Sequence, residues 1–464
     1  MVRKGRFIFL FILWLAASLA GADSLTQWLG VYLSGLKIGY VYLQVVPLEE
    51  GYRVIEKNVM SLKMLGQGKE VSTYQVAVAD ESFRLREFSF SMKTGDQQVS
   101  EEGKARKGTL KVSVITGKGS RSERSYAYSG DLYLPSLLEA KAALQGLDSG
   151  FFLVFDPSTM SLDSGEIRDL GAAEVEHGGE KVTAHLYEAV YSGIRTRTWV
   201  RGRRILREES PMKIVMVDEP KEKAVQLGGE KVDLLSLFAV EPGGLRLDPT
   251  DYRVVRLRLS GVDFDNLDLS FDGQKVAKRK GDHVILSIER PDLDSLRGNV
   301  ALPDSVSLYL EPTPFIQSDA PEIEDLAREI AAGAKDDVDK VRKILEWVYT
   351  TLDKKPTVTL PTALDVLKMG YGDCNEHSVL FAALARAAGI PAEITVGLIY
   401  QLGRYYYHAW DAVFIGGRWV FVDPIFNEFP ASAGHLMLKR GGIEKQADLV
   451  PVVGQLKIEI LEAR

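Results

Sequence analysis

The sequence predicts a multidomain chain: an N-terminal all-β region in two units, followed by an α+β domain that carries the chemistry. Three observations lead to that reading. From about residue 25 to 220, short alternating runs such as LKIGYVYLQVV, STYQVAVA and LREFSFSMK are punctuated by Gly, Asp, Asn and Ser, the pattern of many antiparallel strands. After a charged break at DEPKEK (218–223), a second and smaller set follows: YRVVRLRLSGV, LDLSFDGQKV and DHVILSIERP. Beyond residue 313 the apolar spacing lengthens from two residues to three or four, and helices precede a new group of strands. A chain of 464 residues also exceeds what one ordinary core supports. The expected units are a leader at 1–22, a β domain at 23–222, a second β domain at 223–313, and an α+β domain at 314–464.

The leader reads MVRKGR, then the 14-residue apolar run FIFLFILWLAASLA, then small residues to Ala22. Basic start, short apolar core and small-residue end are the parts of a secretory signal peptide; a membrane-spanning helix needs about 20 apolar residues. Removal after Ala22 would leave an exported chain, periplasmic or secreted, without an integral membrane segment. No cysteine follows the apolar run, so a lipid anchor is not expected. A formal charge of −7 with 26% charged residues argues against a general nucleic-acid binder.

Within the first β domain one helical stretch interrupts the strands, LPSLLEAKAALQGL at 134–147. In the last domain, Asp319, Pro321 and Glu322 start a helix with Ile323, Leu326, Ala327 and Ile330 on one face and Gly333 at its end. A second helix carries Val338, Val341, Leu345 and Val348. A third, around Thr362 to Lys368, turns Leu364 and Leu367 inward and stops at Gly370.

Then comes the only cysteine in the chain, in YGDCNEHSVLFAALARAAGIP. An exported protein meets an oxidising compartment, and Cys374 has no partner in its own chain. Count alone leaves an inert core thiol and a reactive one equally open. Position adds more. Gly372-Asp373 reads as a turn and N-cap, with Leu380, Leu384 and Ala387 as an apolar stripe, so Cys374 falls in the first turn of a helix. There the unpaired N–H groups and the helix dipole favour a thiolate, the form that attacks a carbonyl, and can receive an oxyanion. A low pKa for Cys374 is the expectation. His377, one turn along, is expected to support the site and not to act as the base.

The base is sought in YYYHAWDAVFIGGRWVFVDPIF, 405–426, where β-type runs flank Gly416-Gly417, a strong hairpin signal. With these glycines as a two-residue turn, Ile415 faces Arg418, Phe414 faces Trp419 and Trp410 faces Asp423. His408 shares the face of Trp410, so His408 and Asp423 form a diagonal cross-strand pair. Cys374, His408 and Asp423 then supply nucleophile, base and orienting carboxylate.

Taken together, GDCNEHSVLFAALARAAGIPAE, HAW, GGRWVFVDP and the closing VPVVGQLKIEI resemble the transglutaminase-like superfamily of papain-type folds, over roughly residues 319 to 464. The resemblance implies a Cys-His-Asp triad on Cys374, His408 and Asp423. It also implies thiol acyl transfer at a peptide or protein amide in the cell envelope, with hydrolysis favoured over amine transfer or crosslinking. A non-catalytic envelope binding or assembly module on the same fold is the rival from another class. Relatives often read His-Ala-Trp-x-Glu, whereas here Asp411 and Ala412 follow Trp410, which moves the carboxylate to the opposite sheet face. Tyr371 and Trp347 are candidates for a further oxyanion donor, Trp410 for a supporting role beside the triad, and His435 for packing or capping. No cofactor and no metal site are expected: the histidines lack ligand spacing and no calcium loop occurs.

Overall fold

The computed structural model of the chain describes residues 24–464 apart from 65–66, 96, 117–120, 192, 229–232, 234–236, 248–251, 299, 356, 358–361 and 442–447. The leader expected at 1–22 lies outside the described residues. Among those described, no helix is long and apolar enough to cross a membrane, a statement that does not bear on strands.

The first β region is one continuous sheet of fifteen strands, β1 (Leu25–Leu33) to β15 (Ile214–Asp218). Each strand neighbours the next in sequence, except that β1 and β15 pair with each other and leave β8 (Arg121–Ala127) and β9 (Leu132–Tyr133) as the two ends. The sheet curls until those ends approach. Tyr126 on β8 donates to the Met160 carbonyl at 2.9 Å and packs its ring 5.2 Å from Phe155 on β10 (Gly150–Asp156). Helix α1 (Pro135–Leu144) falls inside the stretch read as helical and packs across the curled sheet. Leu134, Leu137 and Leu138 join Leu29, Leu43, Val54, Leu110 and Phe155 in its apolar interior.

The second unit is built differently from the expectation. Its sheet runs β16 (Gly243–Gly244), β26 (Lys457–Ala463), β17 (Val254–Ser260), β19 (His283–Glu289), β18 (Gln274–Lys280). The C-terminal strand, assigned from the sequence to the last domain, is a central strand here, with Leu257 opposite Ile460. A segment at 223–313 is therefore not a closed unit. Its apolar face is buried against the next sheet in a common core of Leu257, Leu286, Leu398, Leu436 and Ile458.

The site rests on the third layer. Helices α2 (Pro321–Ala331), α3 (Asp337–Thr351), α4 (Ala363–Met369) and α5 (Cys374–Ala387) form as the 3.6-residue spacing requires. In α4 the fully buried positions are Ala363 and Val366, with Leu364 and Leu367 half-buried at the rim. These helices cover one face of a four-stranded antiparallel sheet ordered β24 (Arg418–Val422), β23 (Arg404–Ile415), β22 (Ala392–Gln401), β25 (His435–Arg440). Gly416 and Gly417 both have positive φ, 61° and 78°, as a two-residue type I′ turn demands. The register follows: Ile415 opposite Arg418 and Phe414 opposite Trp419. Val413, Ile415, Val420 and Val422 enter the core under the helices, while Trp410, Phe414, Trp419 and Phe421 form an aromatic core on the other face. Both faces are buried, which explains why the strands read as nearly continuous apolar text.

Candidate active site

Cys374 opens α5, and the local sequence fixes it there. The Asp373 carboxylate caps the helix by accepting the Asn375 N–H at 2.9 Å, and Glu376 reaches back to accept the Asp373 N–H at 2.9 Å. This reciprocal arrangement satisfies two of the unpaired donors of a helix start. Glu376, fully buried, also accepts from the Thr357 hydroxyl at 2.6 Å. Gly372 is required beside it, because a Cβ there would lie 2.1 Å from Glu376 Cβ.

The thiol is partly buried and packs against the core that holds Ala409 of β23, whose backbone N–H works to lower its pKa. Burial pushes its pKa well above the ordinary thiol value, and the carboxylates of Asp373, Glu376 and Asp423 add to the rise. The expectation of a low pKa is thereby corrected. The helix start does favour a thiolate, but the cap brings the Asp373 carboxylate to the same turn, beside a Glu376 whose own pKa burial raises well above the carboxylate range.

His408, on β23 next to Ala409, donates from Nε2 to Asp423 Oδ2 at 2.8 Å. Asp423 leaves the β23 ladder just after β24 and forms a separate bridge with Glu428. Its other oxygen accepts the N–H groups of Ile425 at 2.8 Å and Phe426 at 3.2 Å. Burial alone would raise this carboxyl, but His408 and His435 outweigh it and hold it well below the usual carboxylate range. No Cys374–His408 hydrogen bond is formed among the described residues; Cys374 packs against the core that holds the residue following His408. Contacts of this kind are often loose before substrate binds.

The histidine read as packing or capping stands at the centre. His435 is fully buried at the start of β25, and its Nε2 lies 2.8 Å from the Asp423 Oδ2 that His408 also uses. Its Nδ1 lies 3.0 Å from the Ser432 carbonyl oxygen and 3.1 Å from the Ser432 hydroxyl. No motif marked it, since the contact depends on the loop between β24 and β25. A histidine twelve residues beyond Asp423 was the one available signal.

Trp410, fully buried, packs beside both imidazoles, its ring 6.1 Å from His408 and 5.1 Å from His435. Gly397 makes room, because a Cβ on it would meet the Leu436 carbonyl at 2.1 Å and the Trp410 ring at 3.0 Å. Phe426, partly exposed, covers His408 with ring centres 5.6 Å apart. The remaining candidates stand aside. His377 is buried and lies 2.7 Å from the Asp373 carbonyl through Nδ1, and burial lowers its pKa. Trp347 packs on the helical core, and the Lys355 ammonium lies over the Tyr371 ring at 4.9 Å. Neither makes a hydrogen bond to the three triad candidates among the described residues.

His408, Asp423 and His435 offer nitrogen and oxygen atoms within 4.8 Å of one another. In this structure those atoms make the mutual hydrogen bonds just given. Asp411, which takes the place of the family glutamate, is fully buried on the opposite face from His408. Neither of its oxygens makes a well-formed hydrogen bond, although the Ser378 hydroxyl of α5 stands beside it; burial drives its pKa well above the carboxylate range.

A thiol at a helix start, an imidazole on the neighbouring strand and a carboxylate behind it lie within one α+β unit. Residues 324–424, which span that unit, match the family model of the transglutaminase-like superfamily, so the chain contains a transglutaminase-like domain. Kyphoscoliosis peptidase of Mus musculus is 30% identical over 118 residues, which cover 22% of this chain and 17% of that protein. The Lim and transglutaminase domain protein ltd-1 of Caenorhabditis elegans is 31% identical over 113 residues, 21% of this chain and 16% of that one. The chain thus spans about a sixth of the length of these curated relatives. Among solved structures, the periplasmic domain of TgpA from Pseudomonas aeruginosa aligns with 41% of this chain and 83% of its own. Its identity is 16% and its TM-score 0.28, a likeness that carries no argument about this chain.

Proposed function

We propose that the chain is an exported thiol-dependent acyl-transfer enzyme that hydrolyses a peptide or side-chain amide in the cell envelope. In this reading His408 takes the Cys374 proton as sulfur attacks the carbonyl, so that a C–S bond forms and the oxyanion is held by backbone N–H groups at the start of α5. His408 then passes the proton to the departing amine, the C–N bond breaks, and a thioester remains. Water, deprotonated by the same imidazole, releases the acid and restores the thiol. Asp423 orients His408 throughout.

The observation that carries the reading is the 2.8 Å His408–Asp423 bond on the strand whose Ala409 belongs to the core against which Cys374 packs. Its use of Nε2 leaves Nδ1 as the nitrogen to serve the thiol. The family match to residues 324–424 supports the same chemistry.

The test is a partition experiment. The protein lacking residues 1–22 is incubated with envelope-derived peptides and a labelled primary amine, and free acid is compared with amide product. Free acid is expected to predominate and to vanish in Cys374→Ala. Predominant amine incorporation would instead make the chain an amine transferase. Absence of both products, with Cys374 also inert to acyl electrophiles, would turn the domain into a scaffold.

A further inference from the structure

Asp423 is shared. Its Oδ2 faces the Nε2 atoms of His408 and His435, each at 2.8 Å. A carboxylate only accepts, so each Nε2 must carry a proton. On its other side His435 Nδ1 faces the Ser432 carbonyl at 3.0 Å, and a carbonyl oxygen also only accepts. A ring flanked by two pure acceptors is best satisfied with both nitrogens protonated. The Ser432 hydroxyl at 3.1 Å has a lone pair to offer the same N–H.

We propose that His435 is a positioning residue which, as an imidazolium bonded to Asp423 Oδ2 and the Ser432 carbonyl, partly neutralises Asp423 and keeps His408 an uncharged base. The proposal rests on the reading of His408 as the base of the thiol chemistry above. Its physical content is a division of one negative charge. A lone carboxylate behind a histidine stabilises the imidazolium and resists giving up that proton at neutral pH. A second cation on the same oxygen reduces that pull while leaving the hydrogen bond that aims the ring.

The surroundings suit a charged His435. Burial opposes the imidazolium, but the bond and charge of Asp423, with the Glu428 carboxylate and the Ser432 carbonyl, raise its pKa above the ordinary histidine value. The titratable groups around it are Asp423 and Glu428 on the segment after β24 and His408 on β23. The paired strand β22 places Ile399 opposite. Glu428 is itself held, accepting the Ser432 N–H at 2.8 Å. Trp410 walls the pair from solvent, its ring edge-on to His435.

The experiment is nitrogen-15 NMR of the histidine rings in the full-length protein and in His435→Gln and His435→Leu. With six histidines in the chain, each ring can be assigned by substitution. In the unaltered protein both His435 nitrogens are expected to be protonated at pH 7; substituting the other histidines assigns this ring even if no His435 variant folds. In His435→Leu the His408 titration midpoint is expected to rise by about one pH unit, with His435→Gln between the two. Below that midpoint, Cys374-dependent turnover in the Leu variant should fall about tenfold while the high-pH rate changes little. Either His435 nitrogen found unprotonated, or a His408 midpoint that stays or falls, overturns the proposal. The ring measurements need no turnover, so an inactive chain would defeat the functional reading without deciding this one.

Discussion

Asp373→Asn tests what the capping box does to the nucleophile. Asparagine keeps a side-chain oxygen for the Asn375 N–H and is as good an N-cap as aspartate, so the helix start should persist while one charge is removed. Cys374 is held above the ordinary thiol range by burial first, and then by Asp373, Glu376 and Asp423. An ordinary thiol with a pKa of about 8.5 is roughly 3% thiolate at pH 7, so the resting Cys374 holds less than that. If removing the Asp373 charge lowers its pKa by half to one unit, thiolate at pH 7 rises about three- to tenfold. The assay is the rate of iodoacetamide modification against pH, read by mass spectrometry, and the single cysteine of the chain removes any ambiguity of site. The unaltered protein should show a rate still climbing above pH 8.5, and Asp373→Asn the same curve displaced to lower pH with an unchanged plateau. A plateau reached below pH 7 in the unaltered protein would mean a preformed thiolate and refute the reasoning. An undisplaced curve in the variant would remove Asp373 as a cause.

Two further perturbations follow from the same site. Asp411→Asn should be stabilising at pH 8 and nearly neutral at pH 4: a carboxyl whose folded pKa is raised keeps its proton while the unfolded chain loses it. Stability is therefore lost at up to about 1.4 kcal/mol per pH unit between the unfolded and folded pKa values. Urea unfolding at the two pH values measures this, and equal effects at both would show that Asp411 is ionised in the fold. Gly416→Ala should cost about 1–3 kcal/mol in the same assay and lower turnover, because alanine meets a left-handed φ and would crowd the Leu296 backbone at 2.8 Å. Gly417→Ala should cost less, its added atom lying 3.5 Å from Val300; the reverse order would argue against this turn.

What was legible in the sequence was local. Gly416-Gly417 between aromatic and β-branched runs fixed a two-residue turn, and the two-residue strand period then put His408 and Asp423 on speaking terms, as their 2.8 Å bond records. Helix starts were readable for the same reason, since Gly372-Asp373 marks a turn and an N-cap, which the Asn375 N–H completes. Long-range pairings left no such mark. The C-terminal strand joins Val254–Ser260 across about two hundred residues, and nothing in LKIEILEA distinguishes that partner from a nearer one. His435 was missed similarly: it lies on the far side of β22 from β23 in the strand order and reaches Asp423 through an irregular connection.

The thiol shows why a readable position does not yield a readable reactivity. The Asp373 carboxylate that caps the first turn of α5 also bears on the sulfur, so the cap itself makes the nucleophile less acidic. That conflict moves the burden of activation from the helix to the imidazole. In the proposed mechanism His408 must remove the proton as the bond to carbon forms, and it can do so only if it is itself uncharged at the working pH. The charge that Asp423 directs at it therefore has to be moderated, and His435 is the group with the geometry to do so. A chain with Cys374 in a low-pKa helix start would have no need of a second histidine on its carboxylate. On this argument Asp373→Asn should make turnover less sensitive to His435→Leu than it is in the unaltered protein, a coupling that a double-mutant cycle below pH 7 would measure. Strict additivity of the two changes would separate thiol from relay and break the link.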